Sequence, residues 1–168
     1  MEKENRRLAH PFEPVYNSES RILILGSFPS VRSREEGFFY GHPRNRFWKV
    51  TASLCRCGVP ETVEQKKEML LGNVIALWDS AAACVVEGSS DSSIREIVPN
   101  DIGRILKVAS IERIFANGKT AGAIYEKFIM EKTGLPITVL PSTSPANAAY
   151  SLERLIREWQ VIFERSGK

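Results

Sequence analysis

The sequence predicts a single α/β domain of three layers, α/β/α, built around a central four-stranded parallel sheet. Four short apolar runs of strand length alternate with segments whose apolar residues recur at helical spacing. Strands that alternate with helices form parallel sheets with helices on both faces. The chain has 168 residues, 43% of them hydrophobic, which suits one domain with a buried core. We expect an N-terminal arm over residues 1–19 and the domain over residues 20–168.

The first half of the predicted domain contains two strands and two helices. The apolar run Arg21–Leu25 is the first strand. Apolar residues at helical spacing predict a helix from Arg44 to about Arg56, and a second helix over Glu61–Leu71 that Gly72 ends. The apolar run Asn73–Trp78 is the second strand.

The second half begins with Ala81–Pro99, where mixed apolar and turn-forming residues predict irregular surface. Asn100 is of a residue type that caps helices, so we expect a helix from there to Lys107. The third strand is Ile111–Ala116, and a helix begins at Gly118. The fourth strand is Ile137–Leu140, and a final amphipathic helix covers about Ala148–Arg165.

The composition indicates a soluble protein of the cytoplasm without a cofactor. Its apolar runs are shorter than the roughly 20 residues that span a bilayer, and the charged start Met1–Arg7 lacks the apolar core of a secretory signal. The three cysteines, Cys55, Cys57 and Cys84, lack the spacing of a zinc or redox pair, so we expect reduced packing residues and no metal. The formal net charge of +3 permits DNA binding without demanding it.

A long loop after the first strand carries the residues most suited to chemistry. It runs from Gly26 to Pro43, longer than the connections typical of compact domains, and loops of that length are functional or disordered. The aromatic residues, histidine and asparagine in and just after it argue against disorder. Small residues at the carboxyl end of a parallel strand let a ligand approach the backbone, so we expect a binding site there.

Three parts of the chain, in order, resemble the motifs of the uracil-DNA glycosylase superfamily. Gly26–Pro29 and Tyr40–Trp48 resemble its first motif, with an aromatic residue, His-Pro-x-Asn and Arg-Phe-Trp. Leu140–Asn147, after the fourth strand, resembles its second, DNA-gripping loop. Ile75–Asp79 and Ser92–Ile94 resemble the hypoxanthine-DNA (deoxyinosine) glycosylase branch. The resemblance covers nearly the whole chain.

This resemblance implies a monofunctional DNA glycosylase that flips a deaminated base, hypoxanthine, out of DNA and hydrolyses its N-glycosidic bond, leaving an abasic site. Uracil is the alternative substrate. The partner would be double- or single-stranded DNA containing the deaminated base, with no membrane partner, and we expect a monomer. Two other classes stay open. One is a non-catalytic DNA-binding module, and the other is a nucleotide-binding or phosphohydrolase-like domain, against which stands the lack of a Gly-x-Gly-x-x-Gly or Walker-type motif.

The resemblance also implies roles for residues of the first motif. Tyr40 is similar in position to the aromatic ring that covers the flipped base, with packing of the loop as the alternative. Asn45 is similar in position to the catalytic asparagine of the hypoxanthine branch, with helix capping as the alternative. Phe28 stands where many relatives have a polar residue that positions water, so we expect it to contact the base only. His42 is the second catalytic candidate, with ordering of the loop by hydrogen bonds as the favoured alternative.

Asp79, at the end of the second strand, is predicted to read the edge of the base. Its carboxylate would accept a hydrogen bond from the ring N–H of hypoxanthine or uracil. Adenine and cytosine have a lone pair at the matching ring nitrogen and would be repelled. The alternative is a capping or loop carboxylate.

Hydroxyl and ammonium groups near the two loops are predicted to bind the DNA backbone. Lys119, at the start of a helix, would be a point charge for a phosphate, with a solvated lysine as the alternative. The predicted hydroxyl contacts are Ser27 and Ser30 in the first loop, and Ser142, Thr143 and Ser144 in the second.

Overall fold

The computed structural model describes residues 6–9, 12–28, 31–86 and 95–164, and seven strands and seven helices lie in these ranges. The strands are β1 (Arg6–Ala9), β2 (Ile22–Gly26), β3 (Ile75–Asp79), β4 (Ala81–Val86), β5 (Arg95–Pro99), β6 (Arg113–Asn117) and β7 (Ile137–Leu140). The helices are α1 (Val31–Glu36), α2 (Phe47–Leu54), α3 (Val63–Gly72), α4 (Gly103–Leu106), α5 (Lys119–Phe128), α6 (Met130–Thr133) and α7 (Leu152–Trp159), and a 3₁₀ turn at Gln160–Phe163 follows the last.

Four strands form a central parallel sheet in the order β3-β2-β6-β7. Every residue of β2 and β3 is buried, as expected for strands that helices cover on both faces. Ile22 pairs with Ile75 on one side and with Arg113 on the other, and this register brings Gly26 level with Asp79. The predicted α/β fold with a four-stranded parallel sheet is confirmed.

Helix α5 packs against β2, β6 and β7. Its position depends on two glycines, Gly118 and Gly122. A Cβ on Gly122 would lie 2.6 Å from Val139 Cγ2, so a side chain there would push α5 away from β7. Gly118 joins β6 to α5 with φ 99°, a conformation that glycine adopts without steric cost. The first turn of α5, with Lys119, therefore lies at the carboxyl edge of the sheet.

The longer helices lie close to their predicted positions. α3 begins with a capping box, in which Thr62 Oγ1 accepts from Gln65 N and the Gln65 side chain accepts from the Thr62 N–H. α7 is capped by Ser151, whose hydroxyl accepts from Arg154 N. α1 lies in the segment that was predicted to be a loop. The helix was not predicted, because its short polar sequence has no apolar periodicity.

A second sheet, antiparallel and in the order β1-β4-β5, was not predicted. The prediction of irregular surface over Ala81–Pro99 was wrong for β4 and β5. Residues 87–94, which include the Ser92–Ile94 motif, lie outside the described residues. β4 follows β3 after Ser80, whose N–H donates to Gly26 O, so the chain turns at the end of the central sheet and continues as a strand.

Asn100 does not cap the helix predicted to follow it. Its side-chain N–H₂ donates to Asp79 O at 2.8 Å and to Ala81 O at 3.1 Å, and Ile102 precedes α4 as its N-cap. The buried amide fastens the turn between β3 and β4, where two backbone carbonyls need donors.

The N-terminal segment packs onto the sheet edge and the first loop. β1 pairs with β4, and Val15 pairs with Leu77 in an isolated antiparallel bridge. The Phe12 ring contacts Phe39 edge-on, with centroids 5.1 Å apart. The division into an arm and a domain stays a prediction. In the part of the chain that the structure describes, no helix is long and apolar enough to cross a membrane.

Candidate active site

A cavity of about 990 Å³ opens at the carboxyl ends of the central strands, the edge at which open parallel sheets bind ligands. Segments distant in sequence meet in its wall. The predicted site residues that line it are Ser27, Phe28, Tyr40, His42, Asn45, Asp79, Lys119, Ser142, Thr143 and Ser144. Ser30 lies outside the described residues.

Gly26 makes room for two functional groups at the end of β2. A Cβ on residue 26 would lie 2.3 Å from Asp79 Oδ1 and 2.7 Å from Tyr40 Oη, closer than real Cβ contacts come. Asp79 is 3% exposed, so its carboxylate lines the cavity from a buried position. The missing side chain of Gly26 thus lets a carboxylate and a phenol share one end of the sheet.

Tyr40 is held from one side by the aromatic core. Its ring stacks on that of Phe47 with centroids 4.2 Å apart and an interplanar angle of 23°. Its φ of 54° is uncommon for a residue with a side chain, and such backbone persists where the surroundings over-determine it. The ring therefore packs the loop and also lines the cavity. Its contact with a base stays a prediction.

The side chain of Asn45 lines the cavity, and its amide oxygen accepts two hydrogen bonds from within the protein. Oδ1 accepts from Phe47 N at 2.9 Å and from Thr143 Oγ1 at 2.8 Å, which uses both lone pairs of an amide oxygen. The first bond reaches the first residue of α2 from the position before its N-cap, which is Arg46, and the second joins the first motif to the second loop. Among the described residues no acceptor is found for Nδ2, so the donor remains for the cavity.

Asn117, at the end of β6, is a cavity residue that the sequence analysis missed. Its Nδ2 donates to Thr143 Oγ1 at 2.9 Å, and its Oδ1 accepts from Thr143 N at 3.0 Å. Thr143 has no exposed surface, and its hydroxyl is shared between Asn117 and Asn45. The geometry gives Thr143 a positioning contact in place of the predicted phosphate contact. The available signal was a polar residue that ends an apolar strand, as Asp79 does in β3.

His42 orders the loop that carries Asn45. Its Nδ1 accepts from Arg44 N at 3.0 Å, and its carbonyl accepts from Asn45 N at 2.9 Å. Ser33 adds a second restraint, since its hydroxyl accepts from Gly41 N at 2.9 Å. With Nδ1 as an acceptor, Nε2 is the ring nitrogen that remains to donate to other groups.

Residues 141–151, here called the second loop, present hydroxyl groups to the cavity. Ser142 Oγ accepts from Ser144 N, and Ser144 Oγ accepts from Ala146 N, both at 3.1 Å. Each hydroxyl keeps its own proton for a further acceptor. This arrangement suits the predicted phosphate contacts of Ser142 and Ser144, which stay predictions.

Arg46 connects the first motif to the second loop, and the sequence analysis gave it no role. Its backbone N–H donates to Thr143 O at 3.0 Å. Its Nη2 donates to Ser144 O at 3.0 Å and to Asn147 O at 3.1 Å, and its Nη1 donates to Tyr150 O. A pattern of side chains cannot reveal these bonds, because all four acceptors are backbone carbonyls.

The other predicted residues lie at the cavity wall and rim. Phe28 is buried against Ala81 and Ile124, so its ring is part of an apolar wall. Ser27 is buried beside it, and Lys119 is exposed as the first residue of α5. These positions are compatible with a contact of Phe28 with the base and of Ser27 and Lys119 with the DNA backbone. Both kinds of contact stay predictions.

The described residues form no cluster of metal-binding side chains. Within the ranges that the structure covers, no group of three or more His, Cys, Asp or Glu side chains is placed to hold a metal ion. Cys55 and Cys57 are free thiols just after α2. Burial, with a smaller contribution from Cys57, raises the pKa of the Cys55 thiol to about 11, so it stays protonated at neutral pH.

A model of the uracil DNA glycosylase superfamily matches residues 13–162. A protein of Methanosarcina acetivorans named hypoxanthine DNA glycosylase is 36% identical, over 90% of this chain and 96% of that protein. Its namesake from Methanosarcina barkeri is 33% identical, over 92% of this chain and 97% of that protein.

The fold is similar to a solution NMR structure of a Methanosarcina acetivorans protein described as a candidate uracil DNA glycosylase. The TM-score is 0.77 at 31% identity, covering 93% of this chain and 99% of that chain. With the motif residues meeting in one cavity and the family model spanning almost all the described residues, the chain belongs to the uracil DNA glycosylase superfamily.

Proposed function

We propose that this protein is a monofunctional DNA glycosylase that hydrolyses the N-glycosidic bond of hypoxanthine in DNA and leaves an abasic site. Both Methanosarcina relatives carry the name hypoxanthine DNA glycosylase. The observation that carries the proposal is the end of β2 at Gly26, where the Asp79 carboxylate and the Tyr40 phenol converge in a cavity large enough for a nucleobase.

The base is recognised at its edge and its face. A base inside the duplex cannot reach this cavity, so the nucleotide must rotate out of the stack. One face of the Tyr40 ring lies on Phe47, and we assign the opposite face to the flipped base. Asp79 accepts the ring N–H of hypoxanthine, whereas the matching nitrogen of adenine is itself an acceptor and is rejected.

Asn45 acts as a fixed donor in the chemical step. Bond breaking places positive charge on the sugar and negative charge on the departing base, and a donor held in place before the reaction stabilises that negative charge. Because Oδ1 is bound to Phe47 and Thr143, Nδ2 is the group that Asn45 offers to the base. His42 adds a second donor, Nε2–H, from the same loop.

The DNA backbone lies across the second loop in this proposal. The hydroxyl protons of Ser142 and Ser144 and the ammonium group of Lys119 bind phosphates next to the flipped nucleotide. The protein acts as a monomer on double- or single-stranded DNA.

Oligonucleotides with one hypoxanthine, uracil or xanthine test the proposal. Each is incubated, single- and double-stranded, with purified protein, and abasic sites are then cleaved with alkali. We expect breaks at hypoxanthine, with uracil cleaved more slowly. A preparation of Asn45→Ala purified in parallel shows whether any cleavage comes from a contaminant. Folded protein that binds lesion DNA and cleaves none of the three would refute catalysis and favour a non-catalytic binding module.

A further inference from the structure

Most carbonyl groups of the second loop accept hydrogen bonds from other groups of the protein. Six of them accept hydrogen bonds from side chains or from the first motif. They are Pro141 O from Trp159 Nε1, Ser142 O from Asn147 Nδ2, Thr143 O from Arg46 N, and Ser144 O, Asn147 O and Tyr150 O from the Arg46 guanidinium.

Arg46 supplies the donors for four of these six carbonyls. A planar guanidinium with five N–H groups can bind several carbonyls at once, whereas a lysine ammonium is a single flexible point. Among the described residues no carboxylate forms an ion pair with Arg46. In the described part of the chain, all hydrogen bonds of its side chain go to carbonyls of the second loop.

The second loop has donor groups left for a ligand, beside four carbonyls, those of Pro145, Ala146, Ala148 and Ala149, that have no donor among the described residues. The N–H groups of Ala148 and Ala149 have no acceptor among the described residues, and the hydroxyls of Ser142 and Ser144 keep their protons. Backbone N–H and hydroxyl groups are the neutral donors that bind phosphate oxygens in protein–DNA complexes. A substitution of Arg46 would release Ser144 O, Asn147 O and Tyr150 O from the guanidinium. Ser144 O and Asn147 O also accept from backbone N–H groups of the loop, so Tyr150 O is the carbonyl left without a donor among the described residues, able to turn outward and repel the same oxygens.

We propose that Arg46 is a positioning residue that orients the second loop, holding its carbonyls toward the protein so that donors face a DNA phosphate, without itself touching DNA. This inference rests on the proposed function, because it assigns the second loop to the DNA backbone. It adds to that function a residue that acts through the loop.

Arg46→Lys tests the proposal, since it keeps the charge and removes the planar fork. Affinity for a duplex containing an abasic-site analogue is measured by fluorescence anisotropy over a range of salt concentrations. We expect binding about 10- to 100-fold weaker, because the loop must be ordered on binding. The slope of log affinity against log salt should not change, because the lost contacts are neutral.

Two other variants give contrasting patterns. Arg44→Lys makes the same chemical change at an exposed position two residues away, and its affinity should stay within twofold of wild type. Lys119→Ala should lower the salt slope by about 0.9, as expected for one lost phosphate contact. Hydrogen exchange of the second-loop amides should accelerate in Arg46→Lys and not in Arg44→Lys.

Three outcomes would overturn the inference. Arg46→Lys that binds within twofold of wild type would show that the fork is not needed. If Arg46→Gln lowers the salt slope as Lys119→Ala does, Arg46 contacts a phosphate directly. If neither Arg46 variant has a cooperative thermal transition by circular dichroism, the residue is a general anchor of the fold. The proposed function fails separately, when wild-type protein leaves every lesion intact.

Discussion

Replacing Gly26 with alanine should abolish most base excision and leave the fold intact. The added Cβ would lie 2.3 Å from Asp79 Oδ1 and 2.7 Å from Tyr40 Oη, where ordinary contacts begin at 3.4 Å. Asp79 must then retreat by about 1 Å, and a misplacement of that size costs a rate factor of about 100. Overpacking costs about 1–3 kcal/mol of stability, below the roughly 5–15 kcal/mol of a typical domain.

Single-turnover cleavage of a hypoxanthine duplex, with protein in excess, measures the rate, and circular dichroism melting measures the fold. Binding to abasic DNA, which presents no base to Asp79 and Tyr40, should stay close to wild type. Gly58→Ala is the matched control, because a Cβ there meets no atom within 4 Å, and its rate should be unchanged. A Gly26→Ala rate within threefold of wild type would refute the assignment of this end of β2 to base recognition.

Three further substitutions address separate steps. Asp79→Asn can turn its amide to donate, so the preference for hypoxanthine over adenine should narrow by about 1–3 kcal/mol in cleavage rates; an equal loss of folding and of all DNA binding would make Asp79 a structural anchor. Asn45→Ala should slow the single-turnover step by about 10²–10³-fold with little change in binding, and a rate within threefold of wild type would return Asn45 to helix capping. Lys119→Ala should flatten the salt dependence of DNA affinity by about 0.9 in the log–log slope without changing base preference, and an unchanged slope would place Lys119 outside the footprint.

The central sheet was predictable because its signals are local. Strands buried on both faces appear as continuous apolar runs, and Ile22–Leu25 and Ile75–Trp78 are such runs. The second sheet was not predictable in the same way. β1 lies in a charged segment, and its partner β4 is distant in sequence, so its stability comes from pairing that neither segment reveals alone.

The sequence identified some residues of the candidate site and could not identify the contacts between them. Asn45 and Asp79 were identifiable because each is a polar residue in a motif or at a strand end. The bond between Asn45 and Thr143 could not be predicted, since an amide oxygen accepts from any donor that the fold brings near. Arg46 was missed for a further reason. Its partners are carbonyls, which every residue has, so no sequence pattern marks them.

The bonds between the first motif and the second loop also bear on how the enzyme is made on the ribosome. Domains form as the chain emerges, N-terminal parts first, and Asn45 and Arg46 emerge long before Thr143 and Tyr150. Until the second loop arrives, the Asn45 oxygen has only the Phe47 N–H among its two partners. The Pro141 carbonyl meets its donor much sooner, because Trp159 follows it by 18 residues, whereas 98 residues separate Thr143 from Asn45. A nascent chain that ends before the second loop therefore lacks one of the two bonds that fix the Asn45 amide.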